Sequence, residues 1–184
     1  MALGIAGGLP FSSPDMCGCS YAKIVYDTNQ TGNSGIIIND IFDSIGGNIA
    51  NADTFTVTAN MYLTGSGNTF DDGADDVSLK FQLGGGTAFN SAIAQNTLVS
   101  ISGTSGTLSM SSQDNLVMQI VQSDDFPDAG ATIYIGNLIV TLKNGAGVVK
   151  DVYNPDFSEC GDVSTIGKYS VEGDLVITKG NCLP

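Results

Sequence analysis

Polar and apolar residues alternate along Asp53–Thr64 with almost no error. Phe55, Val57, Ala59, Met61 and Leu63 fall on one side, and Thr54, Thr56, Thr58, Asn60 and Thr64 on the other. A period of two places one face of a strand on a core and the other in water. Asp76–Leu83 repeats the pattern through Val77, Leu79, Phe81 and Leu83. The residues between, 65–75, are acidic and rich in turn formers. Together they predict a long antiparallel hairpin over Asp53–Leu83 with an acidic tip.

The rest of the chain reads in the same way. Tyr21–Asp27 is a short strand, and a second runs from Gly35 towards Phe42. Thr87–Gln95 is the one stretch read as a short helix, because Phe89 and Ile93 stand four apart. Asn96–Ser102 and Gly106–Ser111 read as short strands. Asn115–Gln122 is apolar on both faces near its middle, as a central strand is. In Ala131–Leu142 the apolar parity shifts between Ile135 and Leu138. Gly136-Asn137 lies at the shift and predicts a bulge that returns the later apolar residues to the core. Val148–Tyr153 is a further strand, and Ile166–Val171 with Leu175–Thr178 reads as a last hairpin through Glu172-Gly173-Asp174. The expected fold is all-β: a single jelly-roll-like β-sandwich of about ten antiparallel strands over residues 21–184. Residues 1–20 show no period. Gly, Pro and small apolar groups there suit an extended arm, with Leu3, Ile5, Leu9 and Phe11 as its contact residues.

Composition strengthens the β reading. Of nineteen acidic residues only Glu159 and Glu172 are Glu. Asp favours turns where Glu favours helix interiors. The 184 residues, 42% hydrophobic, are enough for one domain with a core of its own.

Charge narrows the partners. The net charge is −13, all six basic residues are Lys, and Arg, His and Trp are absent. Nucleic-acid binding needs cations against phosphate and favours Arg for reading bases, so it is not expected. The same charge disfavours an anionic membrane surface, and no apolar run is long enough for a membrane-spanning helix. The N-terminal stretch lacks the basic residues of a signal peptide and is not read as one.

Catalytic sets are hard to assemble. Without His, Ser–His–Asp and Cys–His catalysis are excluded. Gly84-Gly85-Gly86 lacks the Lys-Ser/Thr continuation of a phosphate loop. The one metal candidate is calcium, held by Asp71, Asp72, Asp75 and Asp76 in the acidic loop, with Asp124, Asp125 and Asp128 a weaker set. The same acids also suit solvated turns.

Four cysteines, Cys17, Cys19, Cys160 and Cys182, allow three pairings. A Cys17–Cys19 bond closes a strained loop, so the pairing that contains it is set aside. Both remaining pairings join the N-terminal segment to the C-terminal one and imply an oxidising environment. Free thiols and a four-thiolate zinc site are the alternatives.

The functional expectation is a non-enzymatic structural subunit of a self-assembling extracellular particle, a virion protein such as a capsid decoration or tail component. Its partners would be copies of itself or other subunits of the same assembly. One alternative is a secreted, pilus-like filament subunit joined by donor-strand exchange of its arm. Another is a calcium-dependent binding module.

Overall fold

A computed structural model describes residues 19–30, 34–38, 49–50, 52–64, 78–83, 86–108, 116–121, 128–158 and 169–184. Among these the chain is all-β, with antiparallel strands and no helix. The strands are β1 (Tyr21–Tyr26), β2 (Ser34–Ile38), β3 (Thr54–Thr64), β4 (Ser78–Leu83), β5 (Gly86–Ala92) and β6 (Val99–Thr104). They continue with β7 (Leu116–Val121), β8 (Thr132–Lys143), β9 (Val149–Tyr153), β10 (Tyr169–Glu172) and β11 (Leu175–Asn181).

The described strands form two sheets. The first has the order β11-β1-β8-β3-β6, with β9 beside the second half of β8, and the second has the order β10-β2-β7-β4-β5. The pairing of the first eight strands is nested. β1 pairs β8, β2 pairs β7, β3 pairs β6 and β4 pairs β5. β8 then pairs β3 and β7 pairs β4, which completes each sheet.

Both sheets contribute to one core. Tyr26, Phe55, Met61 and Leu63 of the first sheet and Ile36, Leu79, Phe81 and Leu83 of the second belong to the same buried cluster. Each apolar side chain buried this way is worth about 1.5–3 kcal/mol of transfer free energy. Every apolar position read from β3 is buried, and its Thr and Asn positions lie on the opposite face.

Four expectations change. β3 and β4 are not a hairpin, for they lie in different sheets. Alternation shows that a strand has one buried face but not which neighbour it pairs with. A connection of thirteen residues is also long for a hairpin loop, which usually has two to five. The last two strands behave alike. Gly173, at φ +93°, turns the chain between β10 and β11, yet β10 pairs β2 and β11 pairs β1. The stretch expected as a helix begins as β5, where Phe89 lies opposite Phe81 of β4. A sheet edge in need of a partner outweighs a weak local preference. Of the strand expected over Gly106–Ser111, the described residues 106–108 carry no strand pairing, although the Leu108 N–H donates to the Asp53 carbonyl at 2.7 Å.

The bulge is where the parity shift places it. Thr58 faces Ile139 and Asn60 faces Gly136, so β8 carries one extra residue there. Asn137 takes the left-handed conformation, φ +49°, which Asn tolerates better than most residues. Ile133, Ile135, Leu138, Val140 and Leu142 are all buried as a result.

A buried ion pair holds the start of β3. The Asp53 carboxylate accepts from the Ala50 N–H at 2.8 Å and from Lys150 Nζ of β9. Asp53 is 2% exposed and the Lys150 side chain 22%. Removing one partner of a fully buried pair costs about 3–5 kcal/mol, but Lys150 can reach water, so Asp53→Ala is expected to cost about 2–3 kcal/mol. Urea unfolding measures this, and a change below about 0.5 kcal/mol would contradict it.

Candidate functional site

Several sequence candidates lie outside the described residues. These are Asp71, Asp72, Asp75 and Asp76, Asp124 and Asp125, Cys17 and Cys160, and Leu3, Ile5, Leu9 and Phe11 of the arm. Asp128 is described and exposed, and its carbonyl accepts from the Ala131 N–H at 3.0 Å. Among the described residues no three His, Cys, Asp or Glu side chains gather as a metal site would require.

The disulfide question has an answer. Cys19 bonds Cys182 across 163 residues, with Cα atoms 4.8 Å apart. Register explains the choice. β11 runs antiparallel to β1 and sets Tyr21 opposite Asn181, so the residues just outside both strands meet. The bond fits an oxidising compartment.

This bond stands two residues before β1, beside a gap in the first sheet. β1 pairs the first half of β8 and begins opposite Gly136, whereas β9 pairs the second half from Val140 onward. The Asn137 bulge lies between them. Ser20, Asn137, Asn154, Pro155, Asp156 and Phe157 line a hollow of about 220 Å³ in the gap. Gly136 is needed beside it, because a Cβ there would lie 2.7 Å from the Tyr21 ring.

The far wall of the hollow is held by local hydrogen bonds. The Ser158 N–H donates to Asp156 Oδ1 at 2.8 Å, and the Gly180 N–H donates to the Phe157 carbonyl at 2.7 Å. The Ser158 backbone N–H, then its hydroxyl, holds the Asp156 carboxyl below its ordinary range, and Lys179 adds to this while desolvation opposes it. Phe157 is buried in the core, so the segment after β9 is pinned at both of its ends.

Asn137 also borders a second depression. Thr58, Asn60, Ser100, Ser102, Asn137 and Ile139 line a shallow trough of about 370 Å³ on the outer face of the first sheet. The Ser100 hydroxyl donates to Asn60 Oδ1 at 2.9 Å across β6 and β3. None of these side chains ionises. Ile139 is 37% exposed and is the exposed apolar residue of the trough. Next to it on the same face, Tyr62 and Tyr134 pack edge to face with ring centroids 6.2 Å apart. Lys23 Nζ stands 5.8 Å from the Tyr134 ring centroid.

Sequence reasoning placed Thr58 and Asn60 on a solvent face but did not join them to anything. Their partners come from β6 and β8, more than 35 residues away in each case, and only sheet order brings them together. The one available signal was that every outward position of β3 is uncharged in a chain carrying nineteen acids. Among protein-family models, curated proteins and solved structures, none matches this chain.

Proposed function

We propose that this protein is a non-enzymatic structural subunit of a self-assembling extracellular particle, a virion component of the decoration or tail kind. The strand order carries this reading. Nested pairing of eight strands, split as β1-β8-β3-β6 and β2-β7-β4-β5, supports a jelly-roll reading, and double-sheet jelly rolls serve in capsid proteins as well as in lectins and cupins. Fold alone does not decide function, so a second observation is needed. It is the disulfide. Cys19–Cys182 ties the C-terminal end of the arm to the residue that follows β11, so a load on the arm passes into β11 as well as into β1. An arm used to hold a neighbour benefits from such an anchor.

Light scattering on the purified chain, with and without residues 2–12, tests the reading. The intact protein is expected to form a large species, and the deletion variant a folded monomer. A monomer in both cases would overturn it.

A further inference from the structure

We infer that the neutral trough on the outer face of the first sheet is the seat for the N-terminal arm of a neighbouring copy. The inference rests on the assembly reading above and names the surface through which copies meet. The first argument is electrostatic. At −13 per chain, two copies repel wherever their carboxylates approach. Contact is least costly between surfaces that carry none. Apart from the buried Ala59 and Ile101 at its floor, the trough residues carry hydroxyls, amides and the exposed Ile139, and residues 1–14 contain no charged side chain.

The second argument is chemical fit. An extended peptide offers backbone N–H and C=O groups along its length, and each needs a partner when it is covered. Asn60, Ser100, Ser102 and Asn137 supply donors and acceptors, and exposed Ile139 offers an apolar contact to Leu3, Ile5, Leu9 or Phe11.

The third argument is position and reach. The arm leaves its own domain at Ser20, in the hollow that shares Asn137 with the trough. Eighteen residues precede Cys19 and span up to about 60 Å when extended, enough to leave one copy and cross the three strands of another. An arm root and an arm seat therefore stand side by side on each copy, so every subunit can give and receive one arm.

The test is light scattering on the full chain with Ile139→Asp, beside Val148→Asp as a control. Val148 lies in the β8–β9 turn, away from the trough, and is 60% exposed. Ile139→Asp is expected to reduce the large species to a single chain that keeps the β-sheet circular dichroism of the wild type, while Val148→Asp remains assembled. Should Ile139→Asp disturb folding, Ser102→Asp at the exposed rim gives the same readout. If the trough variants stay assembled while deletion of residues 2–12 dissociates the protein, the arm contact stands and this seat is overturned. A wild-type protein that is itself monomeric overturns both readings. An assembled wild type whose trough variants stay assembled but melt at lower temperature would place the chain's own arm in the trough and overturn the exchange between copies.

Discussion

Replacing Cys19 and Cys182 together by Ser is expected to lower stability by about 3–5 kcal/mol. A bond that spans 163 residues removes a large share of the unfolded chain's freedom, and the loop-entropy relation puts its upper value near 5 kcal/mol. A second crosslink between the remaining cysteines would shorten the effective loop and move the result towards the lower figure. A loss of this size is a large part of the stability of an ordinary domain. Urea unfolding of the double variant measures it, with Cys17 and Cys160 left in place. An unchanged midpoint would show that register alone holds β11 to β1. Under the assembly reading the variant has a second expected effect. Its particles should come apart at lower urea than its own folded domain does, because the root of the arm has lost its anchor.

Gly103→Ala is expected to destabilise the protein by about 3 kcal/mol or more, at or above the upper end of ordinary overpacking. Gly103 lies in β6 at one edge of the first sheet, and β5 lies at the edge of the second. A Cβ on Gly103 would overlap the Ala88 carbonyl oxygen of β5 and lie 2.8 Å from its carbon. Both atoms are backbone, so no rotamer change relieves the collision. The two edges would have to separate, which opens the core beside Phe89 and Ile101. Gly106→Ala is the control. It lies three residues on, at ordinary φ, and a Cβ there meets nothing within 4 Å. Its effect should stay within about 0.5 kcal/mol, as for most surface changes. Equal urea midpoints for the two variants would show that β5 and β6 are not held in close approach.

The bulge in β8 shows how far a local pattern reaches. The parity shift at Gly136-Asn137 located an irregularity that the pairing with β3 then displays. Burying Leu138, Val140 and Leu142 together with Ile133 and Ile135 requires one extra residue, so the sequence leaves a single solution. The hairpin expected over Asp53–Leu83 shows where that reach ends. Both strands were legible, and so was the buried face of each. Their separation into two sheets was not, because a strand facing the core from above and one facing it from below have the same alternation. The helix expected over Thr87–Gln95 fails for a related reason. Phe89 and Ile93 satisfy a helical spacing, but β4 had a free edge that only the assembled sheet reveals.

The cysteines divide in the same manner. Spacing and strain left two pairings, and both joined the ends of the chain. Choosing Cys19 as the partner of Cys182 took the antiparallel register of β1 and β11, a relation between residues about 160 positions apart. The candidate site is more dependent still on tertiary structure. Thr58, Ser102 and Ile139 become neighbours only because β6, β3 and β8 are adjacent in one sheet. What the sequence by itself determined here was local: the strand character of most segments, the buried face of most strands, the bulge, and a net charge of −13. Those follow from side-chain period and from counting charges. The partition into two sheets, the disulfide partner, the close approach at Gly103 and the neutral trough were decided by tertiary structure, since each depends on which distant strand lies alongside.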